Sequence, residues 1–298
     1  MEGIAEHNSV DKGSVILALY YKERSSVMLI TVNGLITRSY PSGDHDRIVH
    51  IITEERGRLA VMVKGGNSKR GSPAAACTQL FTYGNYELYS GNSGDLYWFR
   101  GGSVLSMFYG LSTNLPRMAL AAYLCDVASE LTDKDAGEGE SADLLRMLLN
   151  SLYTLDKGNK PTAIVKGVFE LRAAAMMGYQ PNLIGCAICK EGYPDEAYFD
   201  IMNGRIICAD CQTKRNRLLG RMLTEQEELG ERSIICPVSA SVLAAIRYAL
   251  TAPDQKIFSF SLSDKEEEYA FERAAETFLL NQLERDFETL HFYRSVAD

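Results

Sequence analysis

Residues 186–211 read CAICKEGYPDEAYFDIMNGRIICADC, and this stretch decides how the rest of the chain is organised. Two Cys-x-x-Cys pairs, Cys186 with Cys189 and Cys208 with Cys211, are separated by 18 residues. A two-residue spacer lets both thiolates of a pair reach one ion, and two such pairs complete a tetrahedral site closed to water. The spacing predicts one structural Zn2+ per chain, held by Cys186, Cys189, Cys208 and Cys211. The connecting segment agrees: Ala197–Met202, Asn203-Gly204 and Arg205–Ile207 read as a β-hairpin with a type I′ turn that returns the second pair over the first. Four free or redox-active thiols are the alternative, but neither pair lies in a thioredoxin-like βαβ pattern. Lys190 follows the first pair, where a glycine is common. Cys77, Cys125 and Cys236 stand alone and read as small buried hydrophobes.

Seven cysteines, an odd number, fit a reducing compartment and a metal better than a disulfide framework. The apolar run Val15–Tyr21 is too short to cross a bilayer and ends in Lys22, Glu23 and Arg24. With no signal peptide apparent, the expectation is a cytoplasmic protein. The 298 residues are enough for two or three modules. A net charge of -8 argues against nucleic acid until it is divided along the chain. Residues 28–108 carry 8 basic and 6 acidic side chains, whereas residues 222–298 carry 7 and 15. Local charge governs binding, because screening acts over about 8 Å at physiological salt. The acidic run Glu266-Glu267-Glu268 reads as a solvated first helical turn, placed where the macrodipole favours it.

Upstream of the helices, short apolar runs recur between turn signals over residues 28–108: Met28–Val32, Leu35–Tyr40, Ile48–Thr53, Leu59–Val63, Tyr86–Tyr89 and Leu96–Phe99. Asn33-Gly34 reads as a tight turn between the first two. Five or six such strands predict a small barrel, whose closure removes exposed edges. From about residue 113 the apolar period becomes helical, at Leu115–Ala128, Leu144–Leu155 and Ala163–Gly178, resuming at Val238–Leu250 and Asp264–Leu290. The predicted class is thus α+β and multidomain. Residues 1–27 form an N-terminal extension, unless Met28 is the natural start, and 28–108 form a small β-barrel. Residues 109–185 and 237–298 form a helical domain, with the zinc-binding module inserted at 186–236.

Cations and aromatics cluster in the barrel segment. Arg38, Arg47, Arg56, Arg58, Lys64, Lys69 and Arg70 can neutralise phosphates, the last three in or beside a glycine-rich loop. Tyr40, Phe81, Tyr83, Tyr86, Tyr97 and Trp98 include candidates for stacking on bases, although a strand aromatic belongs to the core more often. Lys214, Arg215, Arg217 and Arg221 form a second basic cluster after the cysteines, with no acid among them. Catalysis finds no support. The four histidines are scattered, no P-loop or G-x-S-x-G is present, and Asp44 and Asp46 flank His45 as turn formers. The chain therefore reads as a binding protein and not an enzyme.

The arrangement resembles the bacterial recombination mediator family RecO over roughly residues 28–298. Gly34–Tyr40 is similar to the family's opening strand, Asp46–Val49 and Thr53–Leu59 to its second strand and turn, and Val63-Lys64-Gly65 to its Lys-Gly before a basic loop. The most distinctive stretch is Phe169-Glu170-Leu171-Arg172, then Gly178-Tyr179-Gln180-Pro181, then Cys186. Pro41–His45 replaces a shorter loop, Leu80 stands where proline is usual, and residues 1–27 have no counterpart.

The resemblance implies that the barrel of residues 28–108 is an oligonucleotide-binding (OB) fold, and it implies binding of single- and double-stranded DNA, annealing of strands, and assistance in loading RecA onto DNA coated by single-strand-binding protein. It also implies RecR as a partner and a nucleoid-associated location. Some relatives lack the cysteines, which makes zinc supporting and not mechanistic. The single-strand-binding protein ends in an acidic tail with an apolar tip, so its receptor needs an apolar pocket rimmed by cations. Arg172 is the favoured rim residue, with Arg117, Arg146 and Lys166 as the other candidates. The rival readings are a zinc-ribbon/OB accessory factor in transcription or RNA metabolism, which would prefer RNA, and an enzyme with a regulatory barrel, which would need converging titratable groups.

Overall fold

The computed structural model describes residues 28–67, 73–90, 96–134, 141–192, 194–222 and 234–297. The expected extension 1–27 and the cations Lys69 and Arg70 lie outside the described residues, as does the Arg221 side chain. Two compact units emerge, one of residues 28–51 and 59–105 and one of 52–58 and 106–297.

The first unit is built on β1 (Leu29–Ser42), β2 (Asp46–Thr53), β3 (Gly57–Val63), β4 (Thr82–Ser90) and β5 (Tyr97–Met107), with a short helix α1 (Pro73–Cys77) between β3 and β4. The strands close into a barrel in the order β1-β2-β3-β5-β4, with β1 and β4 antiparallel and β3 and β5 parallel. This is the five-stranded Greek-key arrangement of an OB barrel. Strict alternation along β3 sends Leu59, Val61 and Val63 inward. They meet Ile30, Val32, Ile36, Val49, Ile51, Tyr86, Leu88 and Tyr97 in one core. The hydroxyl of fully buried Tyr86 donates to the Cys77 carbonyl at 3.1 Å, so its polar atom is satisfied.

The expected turn at Asn33-Gly34 is not formed. β1 runs unbroken through it, with Asn33 opposite Asn85 and Gly34 opposite Gly84. A hairpin there would pair the halves of β1 with each other, whereas residues 29–35 are all paired to β4. The glycines instead permit close approach. A Cβ on Gly84 would lie 2.7 Å from the Ser103 carbonyl oxygen and 2.9 Å from the Tyr86 ring.

The second unit is mainly helical: α2 (Leu115–Leu131), α3 (Ala142–Lys157), α4 (Thr162–Met176), α5 (Ala209–Met222), α6 (Ala240–Thr251), α7 (Lys265–Leu283) and α8 (Glu288–Val296). Capping sets many of the boundaries. Asn114 accepts from the Arg117 N–H at 3.0 Å and Asp264 from the Glu267 N–H at 2.9 Å. Gly158 closes α3 at φ 63°. The acidic run 266–268 is the first turn of α7, as read. The single helix expected over Asp264–Leu290 is two, because Glu284 adopts φ 48° and turns the chain so that α8 packs on α2. Helix α4 is the hub, with Ile164, Val165, Val168, Phe169 and Leu171 all at 0% exposure. Gly167 lets α4 close on α7, since a Cβ there would stand 2.5 Å from the Phe271 ring.

The cysteine region adds a three-stranded sheet ordered β7-β6-β8, of β6 (Glu196–Asp200), β7 (Arg205–Cys208) and β8 (Ile235–Ser239). Phe199 of β6 contacts Phe278 of α7 at 5.3 Å between ring centroids, and β8 runs directly into α6.

Candidate metal centre and nucleic-acid interface

The expected hairpin forms, with Asp200 opposite Arg205 and Ala197 opposite Cys208. Its turn differs from the two-residue type I′ expected. Residues 201–204 make a four-residue loop in which the Gly204 N–H returns to the Ile201 carbonyl at 3.3 Å, and Gly204 has φ 55°. The buried Asp200 carboxylate selects this loop. It accepts two 3.0 Å contacts from Asn203 Nδ2 and one of 3.2 Å from Arg205 Nε.

Cys208 ends β7, Cys211 lies in the first turn of α5, and Cys186 and Cys189 come from the loop after α4. The Ala187 N–H bonds the Ile206 carbonyl at 2.8 Å, fastening that loop to the hairpin. Lys190 takes φ 65°, the left-handed conformation for which glycine is the usual residue at this point. All four sulfurs lie within 4.8 Å of one another, and Cys189 and Cys208 are 3.8 Å apart. A tetrahedral ion with thiolate bonds of about 2.3 Å requires sulfur separations of about 3.8 Å, so the donor set fits a metal ion. Burial alone would raise the Cys186 thiol. Instead the backbone N–H groups of Cys208, Cys189 and Ile188 pull it down to about 6, two of them reaching its sulfur at 3.3 and 3.4 Å. Burial, with the neighbouring thiols, pushes Cys211 up to about 12. Four crowded sulfurs cannot all ionise without a cation. Among the described residues, Ile207 packs with Cys186, Cys208 and Cys211 in a small cluster around the sulfurs, while Phe199 faces α7. Cys77, Cys125 and Cys236 are buried and lie outside this group.

The cations predicted to meet phosphate have distinct surroundings. Arg38 is exposed on β1 and Lys64 is exposed just past β3. Arg56 and Arg58 are half-buried around the β2–β3 turn. Arg47 is also half-buried. Its Nη1 donates to the Thr78 carbonyl at 3.3 Å and its stem crosses Gly66, where a Cβ would lie 2.8 Å from Arg47 Cγ. Among the aromatics, Phe81, Tyr86 and Tyr97 belong to the interior, whereas Tyr40 is exposed and its hydroxyl lies 2.9 Å from His50 Nε2. Trp98 faces outward, with Lys64 Nζ 4.9 Å from its ring centroid. On α5, Lys214 and Arg217 are exposed, while Arg215 turns inward to lie 3.8 Å from Asp200.

Two of the expected partner-binding residues are committed internally. Lys166 is completely buried and bridges Glu170 at 2.9 Å, Glu276 at 2.7 Å and Glu272 at 3.6 Å. Arg172 caps the end of α6. Its Nε donates to the Ala249 carbonyl at 2.7 Å, its Nη1 meets Asp254 at 2.9 Å, and its Nη2 donates to the Ala252 carbonyl. Lys166 has no exposed surface to offer a rim, and the Arg172 guanidinium is spent on the end of α6, because α4 is the centre of the bundle. Arg117 lies against Gly158. Arg146 remains at the surface, paired with Asp143 at 3.0 Å and Asp254 at 3.5 Å. It borders a half-open hollow of about 690 Å³ that also presents Tyr153, Lys160 and Phe258. The buried network and Asp200 were missed by the sequence reading. The Lys166–Glu170 spacing of four on one helix was the available signal for the first, and nothing local signals the second.

Comparison with known proteins identifies the family. The description "Recombination protein O N terminal" matches residues 28–108, and "Recombination protein O C terminal" matches residues 112–220. The chain is 24% identical over 267 residues to DNA repair protein RecO of Acetivibrio thermocellus, covering 90% of this chain and 97% of that one. It is 31% identical to DNA repair protein RecO of Exiguobacterium sp., covering 61% of this chain and 70% of that one. It is likewise 31% identical to that of Bacillus pumilus, covering 63% and 70%. No helix among the described residues is long and apolar enough to cross a membrane. A closed N-terminal barrel, a helical second unit and these matches over both parts of the chain together place it in the RecO family of DNA repair and recombination proteins.

Proposed function

We propose that the chain is a non-enzymatic DNA-binding recombination mediator. It binds single- and double-stranded DNA, anneals complementary strands, and helps load RecA onto strands coated by single-strand-binding protein, with RecR as partner. The observation that carries this reading is a closed barrel whose outer surface offers Arg38, Lys64 and Trp98, in a chain whose relatives are named for DNA repair. Cations there neutralise phosphate without regard to sequence, as annealing of arbitrary strands requires. Lys214 and Arg217, exposed on α5, offer phosphate contacts of their own.

The cysteine site is assigned to Zn2+. Four thiolates fill a tetrahedral shell and leave no position for water or substrate, so the ion supplies folding energy and no chemistry. For the acidic tail of single-strand-binding protein, the hollow beside Arg146 is the favoured receptor. Tyr153 and Phe258 offer apolar area and Arg146 and Lys160 offer charge.

A salt-dependent titration of the purified chain with single-stranded DNA, duplex DNA and single-stranded RNA tests the reading. Binding to both DNA forms with log-linear loss of affinity in salt supports it. A strong preference for RNA, or no binding to DNA, overturns it.

A further inference from the structure

Trp98 is the only tryptophan of the chain. Strand alternation turns it outward, since its neighbour Tyr97 lies in the barrel core. β5 runs between β3 and β4, and Trp98 is flanked from both sides. From β4, the Tyr89 ring lies nearly parallel to it, with an interplanar angle of 11° and centroids 6.4 Å apart. From the end of β3, the Lys64 ammonium lies 4.9 Å from its centroid. Met62 is its register partner on β3. All of these groups belong to one compact unit.

The geometry points to Trp98, backed by Tyr89, as a stacking platform for one unpaired base of a single nucleic-acid strand, with Lys64 as a displaceable cover that moves to the adjoining phosphate. This rests on the reading of the barrel as a DNA-binding surface. Relative affinities decide whether the cover can be displaced. An exposed cation over an aromatic ring is favoured by a factor of roughly 2–5, whereas one stacked base contributes roughly 5–150-fold. The ammonium is exposed and carried on a flexible stem, so it gives up the ring at little cost and gains a phosphate. Tyr89 cannot leave as easily. It is half-buried in the middle of the β1–β4–β5 wall, with Leu29 as its register partner on β1. The platform is specific to unpaired strands, because the bases of a duplex are already stacked on each other. Nearby on the same strands, Arg100 is paired with Glu87 at 3.9 Å.

The test uses the full chain and an end-labelled oligothymidylate, following label anisotropy and tryptophan emission in the same titration. With a single tryptophan, emission reports this position alone. The expected result is quenching that saturates together with the anisotropy. Trp98→Ala should bind the oligonucleotide roughly 5- to 100-fold more weakly and duplex DNA within about twofold of wild type. Lys64→Gln should make the single-strand salt slope shallower by about 0.7. If anisotropy reports binding while emission stays constant, the platform is wrong and the DNA-binding reading stands. The same holds if Trp98→Ala melts earlier yet binds normally, as a purely structural cross-strand pair would. Absence of any anisotropy change would overturn the DNA-binding reading itself. Should Trp98→Ala fail to fold, the emission of the wild-type chain still decides.

Discussion

The Lys166 ammonium lies 2.9 Å from the Glu170 carboxylate, and both side chains are completely buried, one turn apart on α4. Glu276 and Glu272 of α7 approach the same ammonium, and Arg294 of α8 pairs with Glu276. Tyr123 of α2 donates to Glu170 at 2.7 Å. Three carboxylates thus share two cations at the junction of four helices. Burial pushes Glu170 up to about 7, against the opposing pull of Lys166.

This arrangement gives the helical unit a pH dependence. A carboxyl whose folded pKa is raised contributes stability that is fully present below its unfolded value and lost as pH rises through the folded one. The Glu170 contribution should therefore decline between about pH 4.5 and about pH 7, by up to about 3 kcal/mol. Glu276, held low chiefly by Lys166 and Arg294 against burial, acts oppositely, and its stabilisation is lost only on the acid side. Denaturant melts of wild type and Glu170→Gln from pH 5 to 8 should show the decline in the first and a flatter profile in the second. Parallel profiles would remove Glu170 as the cause.

Removing the ammonium should be far worse than removing the proton. Lys166→Met leaves three buried or nearly buried carboxylates without their central cation, at a cost of about 3–5 kcal/mol. A midpoint shift in urea below about 1 kcal/mol would contradict the buried network.

The metal centre should be separable from the rest of the fold. The wild-type chain is expected to carry one zinc ion, and Cys189→Ser to lose it, because a set of three thiolates no longer closes the tetrahedron. The cysteine loop and the start of α5 should loosen, since among the described residues the small cluster around the sulfurs adds only Ile207 to the cysteines. Elemental analysis and hydrogen exchange read the two effects. Retained zinc, or loss of helicity throughout, would count against this picture.

On α5, charge and structure can be told apart by neighbouring residues. Lys214→Gln with Arg217→Gln should weaken DNA binding about equally for all sequences and make the salt slope shallower by about 1.4–1.8. Arg215→Gln should leave the slope alone and cost roughly 1–2 kcal/mol of stability, because its charge is spent on buried Asp200.

Arg146 and Arg172 should divide in the same way for an acidic tail peptide. Arg146→Ala is expected to weaken the peptide roughly fivefold at low salt, as suits an exposed rim charge. Arg172→Ala should lower thermal stability by uncapping α6 while leaving peptide affinity unchanged. The reverse pattern would return Arg172 to the receptor.

The sequence by itself determined what depends on local spacing. The two-residue spacer within each cysteine pair, the strand run Leu59–Val63 and the helical period over Leu115–Ala128 act within a turn or two of chain, and each is physically sufficient for its element. Tertiary structure alone decided which partner a residue meets. Asn33-Gly34 carries a turn signal, yet β4 lies beside it and offers a longer ladder of hydrogen bonds than a hairpin could. Arg172, Lys166 and Arg215 look alike as cations in a sequence. The packing of α4 between α6 and α7, and the position of Asp200 beneath α5, bring carboxylates and carbonyls to them from up to 110 residues away. Lys64, Tyr89 and Trp98 meet only because the barrel closes β5 between β3 and β4. Such contacts depend on chain segments that no local pattern relates, because burial rewards whichever partners the fold brings together and not those adjacent in sequence.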